Sequence, residues 1–200
     1  MVWYEEEVSR LEQKIKNGII KKDQNLFYGS SSFRRWETLI DDLDMLDVSN
    51  ISFGGSTLES CVYFFERLVI ASQPKSIILY AGDNDVGDGK PVDKICYFLN
   101  NFLIKLDTYF PDIPFAFLSI KPSIAREHLD WQIREFNRYA KERLNHRENS
   151  FFVDVYSKML NKKGRPDVSL FCSDGLHINE KGYDIWKKEI LKNSNKFLIQ

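Results

Sequence analysis

Ser76-Ile77-Ile78-Leu79-Tyr80-Ala81-Gly82-Asp83-Asn84-Asp85 is the stretch of this sequence that says most about the fold. Its first six residues are almost continuously apolar instead of alternating, which is the pattern of a strand buried on both faces. Strands of that kind occur in parallel sheets that helices cover on both sides. The apolar run stops at a glycine that three polar residues follow. The stretch therefore predicts a buried parallel strand with polar side chains at its carboxyl end.

Four further apolar runs have the length of strands, and helical patterns separate them. The runs cover residues 25–28, 48–53, 115–120 and 151–155, and helices are predicted through 36–43, through 58–68, over 92–109, over about 124–144 and over 180–191. Strands that alternate with helices over short connections form parallel sheets. We therefore predict an α/β fold, a three-layer α/β/α sandwich with a central, mainly parallel five-stranded sheet. Ser56 is expected to cap the second helix, with Glu59 at the capping-box position.

The length and composition of the chain are those of one domain with one sizeable core. The 200 residues are 43% hydrophobic, so residues 1–200 are expected to form a single domain. An apolar stripe at Tyr4, Val8, Leu11 and Ile15 predicts an N-terminal helix within residues 1–20, packed on or beside that core.

Charge and cysteine content bear on partners and compartment. The 28 basic and 29 acidic residues nearly cancel, which argues against nucleic acid or an anionic membrane surface as a partner. No apolar run approaches the ~20 residues of a membrane span, and the acidic N-terminus lacks the apolar core of a signal peptide. Three widely spaced cysteines favour reduced thiols. We therefore expect a cytoplasmic protein, and the sequence does not indicate its oligomeric state.

Asp174 and His177 are three residues apart, just before the final helical pattern. One turn or tight loop at that spacing puts both side chains on one side. There the carboxylate accepts a hydrogen bond from imidazole Nδ1–H, which leaves Nε2 free as a base. Such a base needs a nucleophile, and the run Gly29-Ser30-Ser31-Ser32 follows the first predicted strand. The two segments together indicate acyl transfer by a serine, although three serines there could instead cap the next helix.

Four short blocks, in a fixed order along the chain, resemble those of the SGNH hydrolases, also called the GDSL esterase/lipase family. They are Gly29-Ser30-Ser31-Ser32, the segment 52–58 around Gly54-Gly55, Gly82-Asp83-Asn84-Asp85, and Asp174-Gly175-Leu176-His177. The first block departs from the usual Gly-Asp-Ser of the family. Gly-Ser-Ser-Ser there, together with the Ser-Ile-Lys-Pro-Ser segment at 119–123, is similar to a bacterial subgroup. The resemblance implies a flavodoxin-like SGNH fold.

The resemblance also implies roles for five residues. Ser31 matches the nucleophile, His177 the general base, and Asp174 the residue that orients the imidazole. The backbone N–H groups of Ser31 and Gly55 and the side-chain amide of Asn84 would form the oxyanion hole. Ser30 and Ser32 are then expected to cap the following helix.

The remaining candidate residues point to structural roles. Asp83, Asp85 and Asp88 resemble a metal loop but lack the glutamate of an EF-hand, so we predict no metal site and no cofactor. Asp85 is expected to organise its loop. Four cationic side chains near strand ends or the first site helix are expected to be solvated or to form ion pairs, with binding of an anionic part of a substrate as the alternative; they are Arg34, Arg35, Lys121 and Arg126.

These observations predict a serine esterase that hydrolyses a carboxylic ester through an acyl-enzyme intermediate. Its partner would be a small-molecule ester, such as an acetylated sugar, a short acyl ester or a lysophospholipid, because no long apolar lid-like insertion is evident. A non-catalytic ligand-binding or scaffolding protein that keeps the same fold is the alternative.

Overall fold

The computed structural model of the protein describes residues 1–43 and 47–199. The strands within those ranges are β1 (Asn25–Gly29), β2 (Val48–Asn50), β3 (Ser76–Tyr80), β4 (Phe115–Leu118) and β5 (Ser150–Val153). They form one sheet in the order β2-β1-β3-β4-β5, and each neighbouring pair is parallel. The prediction of a five-stranded parallel sheet is therefore confirmed.

Helices connect and cover these strands. The α-helices of the described residues are α1 (Glu5–Lys16), α2 (Ser31–Arg34), α3 (Leu39–Asp42), α4 (Leu58–Tyr63), α5 (Asp83–Gly87), α6 (Val92–Tyr109), α7 (Asp130–Asn145), α8 (Glu180–Lys192) and α9 (Ser194–Phe197). A π-helical segment, Glu66–Ile70, follows α4, and short 3-10 turns lie at Val2–Tyr4, Glu127–Leu129, Ser157–Met159 and Val168–Leu170. Among the described helices, none combines the length and apolarity needed to cross a bilayer.

The sheet separates two hydrophobic cores. Along β1, Leu26 and Tyr28 belong to one core and Phe27 to the other, because successive side chains of a strand point to opposite faces. Residues of α1, α4, α6 and α7 complete the first core, and residues of α2, α3, α8 and α9 complete the second. The three-layer arrangement is thus confirmed, and α1 packs on the first core through the buried Val8 and Leu11.

Within the helix predicted through residues 36–43 only α3 is helical, and a break separates it from α2, which ends at Arg34. Trp36 Nε1 and Thr38 Oγ1 both donate to Asp42 Oδ2 at 2.7 Å, and these side-chain bonds shape the connection. Residues 44–46 lie outside the described chain. The second predicted strand is also shorter than expected, although the amides of Ile51 and Phe53 still donate to β1 carbonyls.

Two predicted helix starts are wrong. Thr57, not Ser56, is the N-cap of α4, and its capping-box partner is Ser60, not Glu59. The helix predicted from about residue 124 begins at Asp130, after a 3-10 turn. The residues before that turn are held by tertiary contacts instead, since the Ala125 amide donates to the Gly175 carbonyl at 3.1 Å.

The close approach of β1 to β3 requires a glycine where β1 ends. Gly29 has a φ of +138°, and a Cβ built there would lie 1.9 Å from the carbonyl oxygen of Tyr80. The Ser30 amide donates to that same oxygen at 2.9 Å, so the two backbones meet at the carboxyl edge of the sheet. No side chain fits between them.

Gly29→Ala should therefore destabilise the protein by roughly 3 kcal/mol or more, because overpacking adds to the strain of a positive φ. Gly18→Ala is the matched control, since Gly18 has a φ of +69° but no atom within 4 Å of its built Cβ. That control should cost about 1–2 kcal/mol. Urea denaturation of both variants measures the difference, and equal costs would contradict this account.

Candidate active site

Ser31 is the first residue of α2 and is separated from the end of β1 by Ser30 alone. Ser30 takes the N-cap position in an extended conformation, and its carbonyl accepts from the amides of Phe33 and Arg34. The Ser30 hydroxyl makes no capping bond, and Ser32 is buried within the first turn. Ser30 is therefore the N-cap, as predicted, although without a side-chain bond, whereas Ser32 lies within the helix and does not cap it. Ser31 is half-buried.

Asp174 and His177 lie in a tight loop before α8. Asp174 Oδ1 accepts hydrogen bonds from the amides of Leu176 and His177, both at 2.9 Å. These local bonds turn the chain back on itself, as short acidic side chains commonly do in loops. The His177 carbonyl accepts from the Cys172 amide at 2.8 Å, which closes the base of the loop. The backbone thereby fixes the orientation of both side chains.

A continuous chain of side-chain contacts joins Asp174, His177 and Ser31. Asp174 Oδ2 lies 2.6 Å from His177 Nδ1, and His177 Nε2 lies 3.2 Å from Ser31 Oγ. The hydrogen bond from His177 is the main reason that the pKa of Asp174 lies well below its ordinary value. An ionised Asp174 favours the tautomer with the proton on Nδ1, which leaves the Nε2 lone pair facing the hydroxyl.

The segments that carry Gly55 and Asn84 also meet at this edge of the sheet. Phe53 donates its amide to the Gly29 carbonyl at 2.9 Å, so the chain after β2 stays beside β1. Asn84, in the first turn of α5, donates Nδ2–H to the Ser56 carbonyl at 3.0 Å. Asn84 therefore lies against the turn that contains Gly55. One hydrogen of its Nδ2 is used by this bond, and among the described residues no group accepts the second.

Two backbone amides here remain available as donors. In the described chain, neither the Ser31 amide nor the Gly55 amide donates a hydrogen bond to another protein group. Gly55 is exposed and has a φ of +68°. Unused amides at the carboxyl edge of a parallel sheet can bind an oxygen that carries negative charge.

Arg126 orients the Asn84 amide, and the sequence prediction missed this contact. Its Nη2 donates to Asn84 Oδ1 at 3.3 Å, which directs Nδ2 away from the arginine. The guanidinium also bonds to Asp83, in agreement with the expectation that Arg126 is solvated or ion-paired. A Cβ at Gly87 would lie 2.4 Å from Arg126 Nη2. Gly87, one turn after Asn84, is the sequence signal for a close contact here, but a glycine does not show which residue occupies the space beside it.

A buried charge network underlies this arrangement. The Asp83 carboxylate accepts from Lys121 Nζ at 2.7 Å and from Tyr80 Oη at 3.2 Å. Lys121 is 1% exposed, so its expected ion pair is found but a solvated position is not. Burial acts to raise the pKa of Asp83, but the positive charges of Lys121 and Arg126 outweigh it and lower the pKa. Asp83 is therefore ionised in the folded protein.

Asp85 organises its loop, as predicted. Its Oδ2 accepts the Leu58 amide at 2.7 Å, and its Oδ1 pairs with Lys90 at 3.1 Å. Burial raises the pKa of Asp85 in spite of these two partners. Asp85 thereby ties α5 to the start of α4. Among the described residues, no group of three or more His, Cys, Asp or Glu side chains is placed to hold a metal ion.

Solved structures with this architecture come from several bacteria. A candidate platelet activating factor from Streptococcus pneumonia has a TM-score of 0.82 at 18% identity, over 95% of this chain and 94% of that one. A GDSL-like lipase from Bacteroides thetaiotaomicron VPI-5482 has a TM-score of 0.75 at 18% identity, over 94% of this chain and 98% of that one. At these identities the likeness shows the fold alone.

A curated relative is more similar in sequence. The N-acylneuraminate cytidylyltransferase of Escherichia coli O18:K1:H7 (strain RS218 / NMEC) is 25% identical over 170 residues, which is 81% of this chain. The match spans only 38% of that relative's length.

The family itself is shown by a match over most of the chain. Residues 21–185 match the model of the GDSL-like Lipase/Acylhydrolase family. This match includes the four blocks and the whole sheet, and the structural neighbours have the same architecture. The chain therefore belongs to the GDSL-like lipase/acylhydrolase family, a family of hydrolases.

Proposed function

We propose that the protein is a serine esterase that hydrolyses a carboxylic ester through an acyl-enzyme intermediate. The observation that carries the proposal is the chain of contacts from Asp174 through His177 to Ser31. A serine hydroxyl is a weak nucleophile near neutral pH and needs an adjacent base. His177 Nε2, at 3.2 Å from Ser31 Oγ, is within reach for that role.

Acylation begins when Ser31 Oγ attacks the carbonyl carbon of the ester. The hydroxyl proton passes to His177 Nε2, and Asp174 stabilises the imidazolium that forms. The tetrahedral intermediate collapses as the bond to the alcohol oxygen breaks, and His177 gives its proton to that oxygen. Water then attacks the acyl-enzyme with the same base, which releases the acid and restores Ser31.

Negative charge concentrates on one oxygen in both tetrahedral intermediates. We assign its stabilisation to the amides of Ser31 and Gly55 and to Nδ2 of Asn84. Donors that are fixed before the reaction lower the barrier because they need no reorganisation when the charge develops. The two unused amides and the spare hydrogen of Asn84 support this assignment.

The substrate class is a small or soluble ester, among which acetylated sugars, short acyl esters and lysophospholipids are the candidates. The Escherichia coli relative is named for an N-acylneuraminate. An N-acyl group is an amide, so sugars of that kind that also carry an O-acetyl ester are the first substrates to assay.

Ser31→Ala should abolish hydrolysis of p-nitrophenyl acetate, because no other group replaces the nucleophile. Ser32→Ala is the matched control one residue away, and it should keep most of the turnover. Rates of p-nitrophenol release from both variants test the assignment. Wild-type turnover in Ser31→Ala would show that the serine is not the nucleophile.

Loss of activity at acid pH should follow the titration of one group. The lowered pKa of Asp174 means that its carboxylate stays charged as the pH falls toward the ordinary value of ~4. Protonation of Asp174 therefore adds no second step to the acid limb in that range. A plot of log(kcat/KM) against pH should rise with a slope of 1. A slope of 2 would contradict the ionised Asp174.

Asn84→Ala should lower kcat by ~10²–10³-fold with little change in KM, because its bond strengthens only once the oxygen is charged. Asn100→Ala is the control, since Asn100 also donates a side-chain bond but lies within α6, where it contacts Tyr139. That variant should keep the wild-type kcat. A purified wild-type protein that binds esters without turnover would favour the non-catalytic alternative, and full kcat in Asn84→Ala would contradict the role of Asn84 alone.

A further inference from the structure

Helix α1 and its N-cap Tyr4 lie outside the segment that matches the family model, which begins at residue 21. The side chains of Tyr4 and of Glu7, in the first turn of α1, nevertheless reach the Gly54-Gly55 turn. We propose that Tyr4 and Glu7 are positioning residues that hold the Gly55 amide in place as an oxyanion donor. This inference rests on the proposed esterase function and names a further determinant of its rate.

The turn itself has little intrinsic rigidity. Gly54 and Gly55 follow one another, and glycine leaves the backbone more conformational freedom than any other residue. Gly55 is exposed, and a Cβ built on it meets no atom within 4 Å. The peptide that carries the Gly55 amide lies between these two glycines. Without outside contacts, its N–H could rotate away from the reacting oxygen.

Glu7 and Tyr4 bind the peptides on either side of that peptide. Glu7 Oε2 accepts the Gly54 amide at 2.9 Å, which fixes the preceding peptide. Tyr4 Oη donates to the Gly55 carbonyl at 3.1 Å, which fixes the following one. The peptide between them, with the Gly55 N–H, is thereby restrained at both ends.

Each of the two side chains is itself held. The Tyr4 ring packs edge-on against Phe53, with a centroid distance of 5.4 Å, and against Phe64 at 6.3 Å. The Glu7 carboxylate also pairs with Arg34, at the end of the helix that Ser31 begins. One carboxylate therefore joins the oxyanion turn to the nucleophile helix.

The anchor of α1 is separate from these contacts. Arg67 lies on the π-helical segment after α4. Its guanidinium bonds to two residues of α1, to Glu12 at 2.8 and 2.7 Å and to Glu5 at 2.6 Å. Val8 is buried beneath the helix. A change at Glu12 therefore perturbs the docking of α1 without removing a bond to the turn, which makes it a control for general effects on the helix.

The experiment compares Tyr4→Phe, Glu7→Met and their double variant with Glu12→Gln. Phenylalanine keeps the ring packing of Tyr4 without its hydroxyl, and methionine keeps the length of Glu7 without a carboxylate to accept the Gly54 amide. With p-nitrophenyl acetate, the double variant should lower kcat roughly tenfold, which is less than the ~10²–10³-fold loss of a whole donor. KM should change less than about twofold. The inhibition constant of phenylboronic acid, whose serine adduct mimics the tetrahedral intermediate, should rise by the same factor as kcat falls.

Glu12→Gln should keep the wild-type kcat and boronate affinity, even where its melting temperature falls. An equal loss of kcat in Glu12→Gln and in the double variant would overturn the proposal, since docking of the helix as a whole would then explain the effect. Wild-type kcat in the double variant would also overturn it. Ser31→Ala, assayed in parallel, separates the two proposals: turnover that survives this change refutes the esterase mechanism, whereas its loss beside a fully active double variant refutes only the positioning roles.

Discussion

The backbone contact between β1 and β3 is the constraint on which the site depends. The Ser30 amide donates to the Tyr80 carbonyl at 2.9 Å, and Gly29 leaves no room there for a side chain. Because Ser31 follows one strand and Asn84 the other, this contact sets how far the hydroxyl lies from the amide. The apolar strands thus do more than form a core. Their pairing brings polar groups that are about fifty residues apart in sequence to one edge.

A buried charge network then orients what the strands bring together. Asp83 is ionised between Lys121 and Arg126, and Arg126 also contacts Asn84 Oδ1. Removing one member of a buried ion pair typically costs ~3–5 kcal/mol, because the partner charge stays buried without compensation. Such a network contributes little net stability, but it restricts the directions that an attached side chain can take. In this protein that side chain is Asn84, whose Nδ2 is directed toward the turn at Gly55.

Local patterns were sufficient to predict the sheet, its layers and the Asp174–His177 pair, whereas the choice of Ser31 among three serines came from the resemblance to the family blocks. Continuous apolar runs identify buried strands, and the Asp-x-x-His spacing identifies a pair that a loop of four residues can join. The break after α2 and the late start of α7 were not predictable in this way. After α2, side-chain bonds to Asp42 break the helical pattern, and before α7 a long-range bond from Ala125 to Gly175 overrides it. The roles of Tyr4 and Arg126 depend on such contacts too.

The oxyanion donors show why the blocks of a family cannot specify a site completely. Two of the three proposed donors are backbone amides, and a backbone amide has no side chain through which the sequence could fix its direction. Glycine at position 55 permits the required φ of +68° but equally permits others. Direction must then come from groups that bind the neighbouring peptides, and here those groups are Tyr4 and Glu7, before the matched family segment. Proteins with identical blocks can therefore differ in rate through segments that the blocks do not include.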